Sequence, residues 1–120
     1  MLLITNSSNA KIINRHNNNL HCLLEGHSDI ILCGEYWHPW IVTAGKDKTI
    51  KLWKLNEASK PRLIANYRGH SDDVCGIAWL PKSHLLVSVG GDKTIKIWPI
   101  CEAGTDSVEI NSAITTVMGH

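Results

Sequence analysis

No apolar run in this 120-residue chain approaches membrane-spanning length, and Leu2-Leu3-Ile4 is too short for the apolar stretch of a secretory leader. Neither acidic nor basic residues are in marked excess. The net charge is +1 and the pI about 7.7, so no basic patch is strong enough to drive nucleic-acid binding alone. The cysteines Cys22, Cys33, Cys75 and Cys101 stand far apart with no C-x-x-C pair. Scattered cysteines without a leader predict reduced thiols of the cytosol or nucleus. His21, Cys22 and His27 match no zinc spacing, so no metal site is expected. Without secretion, the sequon at Asn6-Ser7-Ser8 reads as accidental.

What is present is a repeat. Asp47-Lys48-Thr49-Ile50-Lys51-Leu52-Trp53 returns as Asp92-Lys93-Thr94-Ile95-Lys96-Ile97-Trp98, and both Asp-to-Asp and Trp-to-Trp separations are 45 residues. A Gly-His precedes each copy, at Gly26-His27 and Gly69-His70, and a third closes the chain at Gly119-His120. A period in the forties bounded by Gly-His and Trp is the mark of a propeller blade. The expected fold is all-β. It comprises two four-stranded blades, with partial blades at either end, of a ring that needs ~4–8. On that count the chain is expected to be a piece of a longer protein.

The expected division is 1–19 a degenerate partial blade, 20–61 the first repeat, 62–111 the second, and 112–120 the start of another. Strands are expected at Leu2–Thr5, Lys11–Asn14, Leu20–Glu25, Ile30–Tyr36, Trp40–Ala44, Thr49–Trp53, Arg62–Tyr67, Val74–Leu80, Leu85–Val89, Thr94–Trp98 and Ser112–Met118. Pro99 to Asn111 reads as a long acidic loop. In Thr49–Trp53 the alternation puts Ile50 and Leu52 on one face and Lys51 on the other. Lys48, Lys51, Lys93 and Lys96 read as solvated lysines that blunt strand edges. The Ile50–Leu52 face is expected to be exposed and to promote association.

Each repeat also holds an imidazole, a hydroxyl and a carboxylate: His27, Thr43 and Asp47, then His70, Ser88 and Asp92. These are the groups of a hydrolase triad. The set occurs twice, however, and no G-x-S-x-G elbow surrounds Ser88. With Trp53 and Trp98 they resemble the hydrogen-bonded tetrad of WD-repeat propellers. That resemblance implies a structural role, in which Asp accepts from His, His bonds the hydroxyl, and the hydroxyl bonds the indole N–H. The closing Trp-Asp of the family is Trp53-Lys54 and Trp98-Pro99 here, and the opening repeat has Asn9 in place of Asp and no Trp.

The resemblance further implies a non-enzymatic scaffold without cofactor, metal, catalytic residue or small-molecule substrate. Partners of such propellers meet the top face. Carried over position by position, that face includes Ile30, Leu32 and Lys46, then Asp73, Cys75 and Gly91. Tyr36 and Trp79 are expected in the core, and Trp37 or Trp40 is a candidate interface anchor, with packing against the neighbouring blade the plainer alternative.

Several stretches resemble more narrowly the tandem-propeller scaffold subunits of the nucleolar small-subunit processome. They are Gly26-His27-Ser28-Asp29-Ile30, Ala44-Gly45-Lys46-Asp47, Lys96-Ile97-Trp98-Pro99-Ile100 and Leu2-Leu3-Ile4-Thr5-Asn6-Ser7. This implies a role in pre-rRNA processing and small ribosomal subunit biogenesis. It also implies nucleolar residence, partner proteins of a multi-subunit complex, indirect contact with small nucleolar or pre-ribosomal RNA, and no membrane. The alternatives are a cytoplasmic or nuclear adaptor in a signalling or ubiquitin-ligase complex, and, from another class, an enzyme using the His/hydroxyl/Asp sets.

Overall fold

A computed structural model describes residues 2–5, 10–13, 20–24, 27, 29–37, 40–55, 61–100, 108–110 and 113–118. The sequence readings on Asn6, Asn9, Gly26, Cys101, Gly119 and His120 fall outside these residues, as do the side chains of His21, Cys22 and Trp37.

Three sheets follow one another along the chain. The opening sheet is an antiparallel meander of β1 (Leu2–Thr5), β2 (Ala10–Ile13) and β3 (Leu20–Leu24). The first blade is β4 (Ile31–Trp37), β5 (Trp40–Gly45), β6 (Thr49–Leu55) and β7 (Pro61–Arg68), each antiparallel to the next. The second blade repeats that order with β8 (Val74–Leu80), β9 (Leu85–Gly90) and β10 (Thr94–Pro99). One strand, β11 (Val108–Ile110), lies in the connection before the outer strand β12 (Thr115–Met118) closes the second blade against β10.

The meander follows from its turns. Between β5 and β6 the Lys48 N–H donates to the Gly45 carbonyl at 3.2 Å, and Lys93 does the same to Gly90 between β9 and β10. The residue that closes each turn is left-handed, Lys48 at φ 67° and Lys93 at φ 66°, the geometry of a tight hairpin with a bulge. The Asp before each of them accepts the backbone N–H two residues on, at 3.1 Å in both copies, which holds the turn from its side chain.

Packing between blades makes the main core. Val42, Ala44, Ile50, Leu52, Ala65 and Tyr67 of the first blade meet Val74, Leu86 and Trp98 of the second. Tyr67 packs edge-on against Trp98 with centroids 5.4 Å apart, and its hydroxyl donates to the Pro99 carbonyl at 2.8 Å. A second cluster of Ile31, Ile41, Trp53 and Leu55, with Tyr36 and Leu63 against it, forms on the other side of the first blade.

Three expectations are corrected here. The stretch from Pro99 to Asn111 is not loop throughout. It contains β11, which leaves the second blade and pairs in parallel with β7, making a fifth strand of the first blade. The Ile50–Leu52 face is not exposed, because the second blade seals it. Nor are Lys51 and Lys96 edge lysines. β6 lies between β5 and β7 and β10 between β9 and β12, and Lys51 is only 7% exposed. The alternation was right about which face each residue takes. Burial was decided by the neighbouring sheet, which a single repeat does not reveal.

Candidate functional site

Each blade carries a buried polar network at the end of its three inner strands. In the first, His27 Nδ1 lies 2.7 Å from Asp47 Oδ2, His27 Nε2 lies 2.7 Å from Thr43 Oγ1, and Trp53 Nε1 donates to that oxygen at 3.0 Å. In the second, His70 Nδ1 lies 3.1 Å from Asp92 Oδ2, Nε2 lies 2.6 Å from Ser88 Oγ, and Trp98 Nε1 donates to Ser88 Oγ at 2.8 Å. For a neutral imidazole the proton positions follow from valence. A carboxylate only accepts, so Nδ1 carries its hydrogen; an indole only donates, so the hydroxyl oxygen receives it and gives its own proton to Nε2. Every donor then points towards the carboxylate, and the chain of bonds is polarised in one direction.

Both networks contain a fifth group that the sequence reading left out. Thr49 Oγ1 donates to Asp47 Oδ1 at 2.8 Å, and Thr94 Oγ1 to Asp92 Oδ1 at 2.6 Å. The signal was present, since Asp-Lys-Thr is identical in the two copies. In the second blade the Ser71 N–H adds another donor to Asp92 at 2.9 Å. Burial would raise both carboxyls, but these hydrogen bonds outweigh it. Those from His27 and Thr49 hold Asp47 well below the usual carboxylate range, and those from Thr94, Ser71 and His70 do so for Asp92.

The glycines at the two ends of the network are fixed by close approach. A Cβ on Gly69 would stand 2.8 Å from the Trp98 ring, and one on Gly90 would stand 2.5 Å from His70 Nδ1. The Gly of Gly69-His70 is therefore a seat for the indole of its own repeat.

The arrangement does not present a nucleophile. The Thr43 and Ser88 side chains are fully buried, and each hydroxyl is engaged by both an imidazole and an indole. Among the described residues there is no group of three or more His, Cys, Asp or Glu placed to hold a metal ion.

The accessible chemistry lies at the rim above the networks. Ile30 is 43% exposed and Leu32 38%, an apolar pair on the entry to β4. Beside them Lys46 is exposed, and its N–H donates to the Ile30 carbonyl at 2.9 Å. The second blade repeats that bond from Gly91 to the Asp73 carbonyl at 2.7 Å, with Asp73 half-buried and Cys75 and Gly91 exposed. Cys33 stands below the rim, where burial, with Cys75 and Glu35 nearby, pushes its thiol up to about 12, so it is not a thiolate.

Trp40 is half-buried. It packs on Trp79 of the second blade with centroids 5.7 Å apart, under the Lys54 ammonium at 4.8 Å. It belongs to the joint between blades rather than to a free surface. Tyr36 and Trp79 are also half-buried against the two clusters.

Comparison with known proteins places this geometry. Over 54 residues the chain is 35% identical to the ribosome biogenesis protein WDR12 homolog of Chlamydomonas reinhardtii, covering 40% of this chain and 12% of that protein. It is 34% identical over 54 residues to transducin beta-like protein 3 of Mus musculus, covering 43% of this chain and 7% of that protein. Thus the chain spans a small part of the curated relatives it matches. Among solved structures, an active polycomb repressive complex 2 in the basal state contains a chain that superposes with a TM-score of 0.82 at 24% identity, over 92% of this chain and 26% of that one. The Chaetomium thermophilum polycomb repressive complex 2 bound to GSK126 gives 0.82 and 24% over 92% and 27%. At that identity the likeness is one of fold. The model of the WD domain, G-beta repeat, matches residues 17–54 and 61–99, the two stretches that carry the networks, and the chain belongs to the WD-repeat family.

Proposed function

We propose that this chain is part of a non-enzymatic scaffold that assembles proteins in small ribosomal subunit biogenesis, as a subunit of the small-subunit processome acting in pre-rRNA processing. The observation that carries the reading is a division of labour in each blade. Every hydroxyl, imidazole and carboxylate of the triad-like sets is spent internally, while Ile30, Leu32, Lys46 and Cys75 are left open on the rim. A buried, fully satisfied network holds one geometry, and an exposed apolar pair flanked by polar groups is suited to a protein partner. One of the two curated relatives is named for ribosome biogenesis, which favours that process over signalling or ubiquitin transfer. On this reading the protein is nucleolar, and it meets small nucleolar or pre-ribosomal RNA through its partners.

The test uses the tagged full-length protein. The expected outcome is nucleolar residence and co-purification with pre-ribosomal particles. Replacing Ile30 and Leu32 together by Asp is expected to reduce that co-purification at least tenfold with an unchanged thermal melt. An even cytosolic distribution without ribosomal precursors would remove the processome reading. Undiminished recovery of particles by the double variant would remove the rim as the contact.

A further inference from the structure

The outer edge of the first blade is filled by a piece of the chain that belongs elsewhere. β11 arises from the second blade and pairs in parallel with β7, Val108 opposite Ala65, Glu109 opposite Asn66 and Ile110 opposite Tyr67. The Ile110 side chain joins the core between the blades. The Glu109 side chain meets a prepared row of donors. Asn66 Nδ2 donates to its two oxygens at 3.3 and 3.1 Å, and Arg68 Nε donates to Oε2 at 3.2 Å. Behind them the buried Lys51 ammonium donates to Asn66 Oδ1 at 3.1 Å, which orients the amide so that its NH₂ faces the carboxylate. Asn66 and Lys51 are both more than nine-tenths buried. The Asn66 hydrogen bond, helped by Arg68, keeps Glu109 below the ordinary glutamate range.

Two features separate this from a strand needed only for folding. β11 pairs with three residues of the eight in β7, and no described strand hydrogen-bonds to the part of β7 before Ala65 on that side. Ahead of Val108 stand Gly104 and Asp106, two types poor in strands, so the sequence there is not suited to extend the pairing. A partner segment with strand-forming residues at those positions would make the same carboxylate contact and a longer ladder. Addition of a strand to a sheet edge, with affinity from the backbone and selectivity from one side chain, is an established mode of peptide recognition.

We propose that the β7 edge is a binding site for an extended partner segment in which strand-forming residues precede a glutamate followed by a β-branched apolar residue, and that Val108–Ile110 is its built-in, displaceable occupant. The donors Asn66 and Arg68 select the carboxylate, with Lys51 holding the Asn66 amide in place. Being part of the same chain gives the built-in strand a high effective concentration. Only a partner with the longer ladder therefore displaces it.

The probe is the acetylated heptapeptide Val-Thr-Val-Thr-Val-Glu-Ile, whose register runs from Pro61 to Tyr67, with variants carrying Gln or Lys for Glu. Hydrogen–deuterium exchange on the intact protein at saturating peptide is expected to show protection at 108–110 falling at least tenfold while 65–67 stay protected. Unchanged protection at 108–110, or equal loss at 65–67, would overturn displacement. The Gln and Lys peptides are expected to bind at least tenfold more weakly. The exposed change Arg68→Glu is expected to reverse the preference towards the Lys peptide. Equal binding of all three peptides would overturn carboxylate selection.

Discussion

The two blades are built from nearly the same seven residues and end in different surroundings. In β6, Ile50 and Leu52 are completely buried; in β10, their counterparts Ile95 and Ile97 are half-buried. Lys51 is buried and reaches Asn66 on the outer strand, while Lys96 makes the corresponding reach to Thr116 from a less covered position. The network side is different. Trp53 and Trp98, Thr43 and Ser88, and Thr49 and Thr94 are buried in both copies. Each network faces the sheet that precedes it, and both blades have one. The opposite apolar face is sealed by a following sheet, and among the described residues the first blade has one and the second does not. Each blade thus depends on a neighbour for both faces, the preceding sheet for its network side and the following sheet for its apolar side, in line with repeat stability as a sum of internal and interface contributions.

The largest expected effect tests that dependence. Leu52→Ala should cost about 2–5 kcal/mol, the range for emptying a fully buried aliphatic site, and Ile97→Ala should cost less than half as much within this chain. Denaturant melts of the two variants decide it, and equal losses would mean that the two faces are equivalently packed. The 120-residue chain is also expected to self-associate, through Ile95, Ile97 and the exposed Val117 rather than Ile50 and Leu52. A monodisperse monomer on size exclusion would count against this.

A smaller effect, equal in the two blades, is expected from the networks. Asp47→Ala or Asp92→Ala leaves a buried imidazole N–H without its acceptor and should cost roughly 1–3 kcal/mol. Thr94→Val removes only the fifth group and should cost about 1 kcal/mol, with Asp92 still held by His70 and Ser71. Unchanged melting midpoints for both Asp variants would detach the network from stability altogether.

The smallest effect near neutrality comes from pH. The carboxyls of Asp47 and Asp92 are depressed in the folded state, so their stabilisation is fully present above the unfolded carboxylate value of about 4. It is lost as pH falls from there towards the folded values. The melting midpoint is therefore expected to hold from pH 7 to about 5 and to fall below about 4, less steeply in the Asp47→Asn, Asp92→Asn double variant. An equally steep fall in that variant would assign acid sensitivity to other groups.

Much of this was legible in the residues. The repeated Asp-Lys-Thr and the fixed Gly-His and Trp offsets located the turns, the strands and four of the five network groups. Thr49 and Thr94 were passed over because a threonine opening a strand already has a reason to be there. The burial of Lys51 was hidden because it depends on Asn66 and Glu109, which stand in an outer strand and in a connection the other repeat does not share. β11 was hidden for the same reason. Val108, Glu109 and Ile110 are a short apolar-acidic-apolar triplet in a polar stretch, and their partner strand lies in a different sheet.

That last separation has a consequence in time. The network bonds close over 2 to 24 residues, within one repeat, but the bond from Asn66 to Glu109 closes over 43. At a synthesis rate of ~5–20 residues per second, the β7 edge is complete on the order of seconds before its own covering strand exists. A first blade that forms in that interval is expected to present an unpaired outer strand whose row of donors faces a missing carboxylate. A nascent chain in this state is expected to be open to any strand that arrives first, so the connection after Pro99 also sets when the first blade stops being a free template.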